Sequence, residues 1–296
     1  MNNRLLTFLT ISFLCFISFS CHANEIYSLK TRHDVNKFIT DRLSSRWDWT
    51  LLECKALPLG FNPNKFDQSL NTEDVFYKAD LDGNGLTDLI VCGVRKFAIT
   101  DEGEGKYIPH FTETYCMDEM KKLINIIYKP SGAWLVLQRY TGNFVPDAQP
   151  DTLVYKYSRM LELNRTPDHF DIQYVSFKAT GCYGECPSFD MQINPNGFVS
   201  YKGNGYAEIG FKRAYLDSVE TDNIFNTLNY MNVTKLKDSY TIQITDMPTY
   251  TIEVVFRDGR SKKISDYGGC APLAIQILFE EMFAIARKEG WVKEGR

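Results

Sequence analysis

The chain has 296 residues, 44% of them apolar, and a formal net charge of −4. That is enough material for two ordinary cores, since domains usually run to about 100–200 residues. With no Lys/Arg run it carries no electrostatic footprint for phosphate backbones, which argues against nucleic acid as a partner.

Arg4 precedes an apolar run from Leu5 to Phe19, followed by Ser20-Cys21-His22-Ala23-Asn24, the layout of a secretory signal. A transmembrane span needs about 20 apolar residues, more than this run supplies. Two cleavages fit. Cys21 and Ala23 stand where ordinary signal peptidase wants small residues, which makes residues 1–23 a signal peptide. Alternatively, Ser20 before Cys21 resembles a bacterial lipoprotein signal, with Ser18 against it, and lipidation would anchor the protein to a membrane through Cys21. Cleavage after Ala23 is favoured, and either route predicts an extracytoplasmic protein, periplasmic or secreted. Both leave the same six structural candidates, Cys54, Cys92, Cys116, Cys182, Cys186 and Cys270. An even set in an exported chain reads as disulfides, with 15 pairings that sequence cannot sort.

Residues 24–165 read as a first domain. Val35, Phe38, Ile39 and Leu43 fall on one helical face, so a short amphipathic helix is expected over Asp34–Leu43. Trp47 to Cys54 alternates imperfectly, and Pro58 to Asn64 is loop chemistry. In Asp80-Leu81-Asp82-Gly83-Asn84-Gly85-Leu86-Thr87-Asp88, the oxygen side chains of Asp80, Asp82, Asn84 and Asp88 fall at loop positions 1, 3, 5 and 9, with Gly85 at the sharp turn and the Leu86 carbonyl between. A hard cation such as calcium takes that fan of oxygens. Val91 stands where an EF-hand places its bidentate Glu, and Leu89–Val91 reads as a buried strand instead of a helix. The stretch resembles the calcium loops of FG-GAP-like secreted repeat proteins, in which D-x-D-G-N-G-x-x-D runs into an apolar strand. It occurs once, so the resemblance implies a loop type and a bound calcium, not a propeller. The other reading is a metal-free turn held by side chain to backbone hydrogen bonds. Further on, Leu123–Tyr128 and Ala133–Leu137 flank a Pro-Ser-Gly turn and predict a hairpin, and Leu153–Tyr157 predicts another strand.

Leu163 to Asp168 breaks the pattern with polar residues and Pro167, which places a linker there and a second domain over 166–296. Phe170–Phe177 alternates with period two. Phe189–Ile193 and Phe198–Tyr201 are joined by Asn194-Pro195-Asn196-Gly197, and Tyr250–Phe256 and Ser261–Ile264 by a turn containing Asp258-Gly259, so two hairpins are expected. Asp217 is a candidate cap for a helix through Ile224, Phe225, Leu228 and Met231, and a second amphipathic helix runs from Leu273 to Ala286. The fold class expected is α+β: two domains, each with antiparallel hairpins, the C-terminal one with two helices packed on a sheet. Gly181-Cys182-Tyr183-Gly184-Glu185-Cys186-Pro187-Ser188-Phe189 and the turns that follow it resemble a family of bacterial exported domains of unknown function marked by G-C-[FY]-G-x-C-P-x-[FY]. The resemblance implies fold and compartment and carries no catalytic residue over.

Cys182 and Cys186 are expected to form a structural disulfide, or to share Cys270 between them. A redox pair would sit at a helix N-terminus with two intervening residues, whereas three intervene here before a strand pattern. No G-x-S-x-G, H-E-x-x-H or P-loop occurs. His33, His110 and His169 lie on polar stretches and read as solvated, and Glu280-Glu281 as the wet face of the last helix. The expectation is therefore a non-catalytic envelope protein that binds an unidentified protein or ligand. The alternatives are a thiol-disulfide protein using Cys182 and Cys186, or a hydrolase with a site assembled from distant residues.

Overall fold

The computed structural model describes residues 24–43, 76–92, 96–114, 116, 119–141, 145–147, 149–288 and 290–293. The signal segment, Trp47 to Cys54 and Pro58 to Asn64 lie outside the described residues.

Two helices, α1 (Glu25–Ser28) and α2 (Arg32–Leu43), open the described chain. Thr31 and Asp34 cap α2 reciprocally: the Asp34 N–H donates to Thr31 Oγ1 at 3.1 Å, and the Thr31 N–H to Asp34 Oδ2 at 2.8 Å. The helix therefore starts two residues earlier than its apolar spacing alone suggests. Strands β1 (Phe76–Ala79), β2 (Asp88–Cys92), β3 (Lys96–Asp101) and β4 (Tyr107–Phe111) form an antiparallel sheet in sequence order. Val35, Phe38, Ile39 and Leu43 pack on Leu89, Val91, Phe97 and Ile99 of its one face. Burying each such side chain contributes roughly 1.5–3 kcal/mol.

The other face of this sheet, through Ala79, Leu81, Ile90 and Ala98, packs on a second sheet through Leu135, Leu137, Leu153 and Met160. That sheet comprises β5 (Glu119–Ile127), β6 (Trp134–Thr141), β7 (Val145–Pro146), β8 (Asp151–Lys156) and β9 (Arg159–Glu162), with the order β5-β6-β8-β9 and β7 beside β6. The expected hairpin is β5–β6. Its turn is pressed onto the acidic loop of the first sheet: Ala133 N–H donates to the Asp80 carbonyl at 2.6 Å, and Gly132 has φ +103°, with 2.2 Å between the place of a Cβ and the Leu81 carbonyl oxygen. Only glycine fits there.

From Ile172 the chain builds a third sheet with β10 (Ile172–Ala179), β11 (Phe189–Ile193), β12 (Phe198–Gly203), β13 (Gly210–Tyr215), β14 (Ser239–Thr241), β15 (Thr249–Phe256), β16 (Ser261–Tyr267) and β17 (Val292–Lys293), in the order β14-β16-β15-β10-β11-β12-β13-β17. Helices α3 (Ser218–Tyr230) and α4 (Leu273–Ala286) cover one face. Asp217 caps α3 as expected, accepting from Glu220 N–H at 2.8 Å. Ile224 and Leu228 of α3, with Leu278, Met282 and Ile285 of α4, bury the inward half of each strand's alternation, Phe177, Phe189, Val199 and Ile252 among them. The α+β class with helices on one sheet face is the observed architecture.

The helices also meet the second sheet, where Val154 and Leu161 pack on Tyr230 and Ala274. Glu162 accepts the first N–H groups of α4, from Leu273 at 2.7 Å and Ala274 at 3.2 Å. The predicted linker, Leu163 to Asp168, has no regular structure and is tied to the end of α3: Asn164 N–H donates to the Tyr230 hydroxyl at 2.9 Å, and Asp168 N–H to Asn232 Oδ1 at 2.6 Å. The expectation for Glu281 is corrected here. Its carboxylate turns toward Arg159 of β9, because α4 is sandwiched between two sheets and has little wet face to offer.

Candidate functional site

The acidic loop connects β1 to β2. Asp80, Asp82 and Asp88 each offer an oxygen within 4.8 Å of the others. Asp88 is fully buried and accepts from Leu81 N–H at 2.6 Å and Asp101 N–H at 2.8 Å. Asp80 accepts from Gly83 and Gly85 N–H at 2.7 and 2.9 Å, and Asp82 from Asn84 N–H at 3.0 Å. Asn84 accepts from Leu86 N–H at 2.7 Å and donates to the Asp101 carbonyl at 2.8 Å. These bonds shape the loop as a series of Asx turns. Each carboxylate still has lone pairs to give, because it offers about four acceptor sites. Burial pushes Asp88 up to about 7, against its two N–H bonds and with the help of Asp82 and Asp80. Burial raises Asp82 as well, and the negative charges of Glu102 and Asp80 add to the rise. Three crowded hard-oxygen donors fit a calcium ion, which would relieve that repulsion.

The cysteine turn links β10 to β11. Cys182 and Cys186 are bonded, with Cα atoms 5.6 Å apart, and Tyr183 between them is 89% exposed. Its Tyr183 N–H reaches the Asp246 carbonyl at 3.3 Å. Cys270 does not share this pair. It bonds Cys116, at a Cα separation of 4.5 Å and 154 residues away in sequence. Cys92 ends β2, half-buried, and Cys54 is outside the described residues.

His110 is the second correction: it is buried on β4 instead of solvated. The Thr100 hydroxyl gives its one proton to Glu102 at 3.0 Å, so His110 Nε2 carries the proton it donates to Thr100 Oγ1 at 2.9 Å. Burial, with a smaller push from Arg159, holds the imidazole neutral with a pKa of about 3. The exposed His33 lies on α2, and the exposed His169 in the irregular stretch before β10.

The outer face of the third sheet is open among the described residues. It is concave, with a volume of about 570 Å³, and its floor is the outward half of the strands, including Ser176, Lys178, Asp190, Gln192, Ser200 and Lys202. Phe211 and Tyr215 stand out at 57% and 73% exposure. Lys202 Nζ lies 5.4 Å from the Phe211 ring centre, and Lys178 lies 3.5 Å from Asp190.

Residues 173–286 match the family model described as Domain of unknown function (DUF6438). The matched region starts inside β10 and ends with α4, so it takes in the cysteine turn and the open face. No curated protein matches the chain. The residues of that face were not singled out from sequence. The signal was the polar half of the period-two alternation in successive strands, which marks an outward face but not which strands adjoin.

Proposed function

We propose that the protein is a non-catalytic, extracytoplasmic binding protein of the bacterial envelope, and that it binds through the open face of the third sheet. One observation carries the reading. The molecule stacks helices, sheet, sheet, helices and sheet, so every other broad sheet face has a covering layer among the described residues, whereas this one is concave and displays exposed aromatics. Antiparallel sheets often leave one face to water. Phe211 and Tyr215 add two exposed rings to this otherwise polar face. Two disulfides support a compartment outside the cytoplasm, where such bonds persist. In this reading Cys182–Cys186 is a staple for the turn, and calcium at Asp80, Asp82 and Asp88 is a structural cofactor.

The test is affinity capture from an envelope extract, using the mature chain beside its Lys202→Glu/Arg213→Glu variant. The wild type should enrich a component that the variant loses. Identical capture by both would show that this face is not the binding surface.

A further inference from the structure

Strand register lines up the outward side chains of the open face in rows. Phe211, Lys202, Asp190, Lys178 and Thr251 stand side by side across β13, β12, β11, β10 and β15. Arg213, Ser200, Gln192, Ser176 and Glu253 form the next row, and Glu253 is opposite Lys263. Beyond Arg213, Tyr215 packs edge-on to Phe198 at 5.5 Å.

We infer that this face takes a carboxylated oligosaccharide, an inference that rests on the open face being the binding surface. Charge is the first reason. Lys178, Lys202 and Lys263 outnumber Asp190 and Glu253, a local excess of cations on a chain whose net charge is −4. An anionic ligand meets complementary potential there. The two carboxylates supply the second reason, because they only accept hydrogen bonds. A ligand that offers mainly acceptors, such as an acidic peptide side-chain array, is repelled at Asp190 and Glu253, whereas sugar hydroxyls donate to them. Between the charges, Ser176, Ser200, Gln192 and Thr251 both donate and accept, which matches groups that do the same. The third reason is the ring pair at the border: Phe211 and Tyr215 present flat apolar surfaces with a polar tip on the tyrosine, suited to the C–H face of a sugar ring. The volume of about 570 Å³ lies within the range of small-ligand sites.

The experiment is calorimetry on the full mature chain with three probes: trigalacturonate, the neutral trisaccharide maltotriose, and pentaglutamate. Trigalacturonate should bind, more weakly as salt rises. Lys202→Ala and Gln192→Ala should each weaken it by about tenfold, the loss of one charge-assisted or well-made hydrogen bond. Unchanged melting midpoints in both variants would show that the fold is intact. Asp190→Ala should weaken the sugar, since a hydroxyl loses its acceptor. Equal or tighter binding of pentaglutamate would overturn the inference in favour of an acidic peptide, and equal binding of maltotriose would remove the role of the carboxylates. Trigalacturonate binding that ignores all three substitutions, or no binding at all, would also overturn it. In either case envelope capture with the Lys202→Glu/Arg213→Glu variant still decides whether the face binds something else.

Discussion

Arg159 extends from β9 toward Glu281 on α4, and the two side chains retain only 10% and 15% of their exposure. Burial pushes Glu281 upward, and the guanidinium pulls it back down. Removing one partner strands the other charge away from water, so Arg159→Met or Glu281→Gln should each cost about 3–5 kcal/mol in urea unfolding, and the double change to methionine should cost less than either. A double variant less stable than both singles would contradict this account. At Gly132, alanine brings a left-handed backbone strain together with a Cβ driven at the Leu81 carbonyl, and a loss of about 1–3 kcal/mol is expected from the same measurement. His110 gives a pH dependence of known sign. Its folded pKa of about 3 lies below the unfolded value of 6.5, so the unfolded chain binds the extra proton first. That contribution is complete above pH 6.5 and fades as pH falls from there toward 3, at up to about 1.4 kcal/mol per unit. His110→Gln should flatten the fall in urea midpoint between pH 7 and 5; a parallel fall in both proteins would place the acid sensitivity elsewhere.

Elements were legible where one chemical period dominates. Helix α2, the β11–β12 and β15–β16 hairpins, and helices α3 and α4 all sit where apolar spacing and turn residues placed them, because each has one apolar face and a turn or cap at its start. Strands β3 and β4 were not read. Phe97-Ala98-Ile99-Thr100 is buried between two layers and has no alternation to display. Strand β14 is a three-residue parallel pairing of polar residues with β16, a contact decided by tertiary packing. At the candidate surface the outward residues were visible as polar positions, but their assembly required strand order and register, which a single strand does not encode. The acidic loop was legible residue by residue, and its expected behaviour is a matter for the element as a whole. Calcium at about 100 times Kd should stabilise the protein by about 2.7 kcal/mol, seen as a raised melting midpoint. Asp82→Ala should abolish that rise. Chelator-treated protein whose midpoint does not move in millimolar calcium would leave the loop as a turn held by its own N–H bonds.

Among the described residues the layers are held together by packing, by the contacts of Glu162 and Arg159 with α4, and by a covalent link across 154 residues of sequence, Cys116–Cys270. In the chain-entropy model a closed loop of that length contributes about 5 kcal/mol, against about 2 kcal/mol for the separation of four at Cys182–Cys186. Cys116→Ser with Cys270→Ser should therefore lower unfolding stability more than Cys182→Ser with Cys186→Ser, and non-reducing peptide maps of the native protein should recover these two pairs. Equal losses, or a different pairing in the maps, would refute the assignment of the long bond as the main covalent brace.

In the export reading, the spacing of those bonds also bears on the order of events as the chain enters an oxidising compartment. A chain that enters amino end first presents Cys116 well before Cys270, and in the interval Cys182 and Cys186 emerge as rival thiols. Closing a ring across a separation of four asks far less of chain entropy than joining either of these two to Cys116, so the small ring is favoured between them and withdraws these two from Cys116. The turn then acts as a guard for a bond it never touches. In newly made Cys182→Ser chains, Cys186 should be caught by Cys116 in a measurable share of molecules, a defect seen in the yield of correctly joined protein before it is seen in the stability of the finished one.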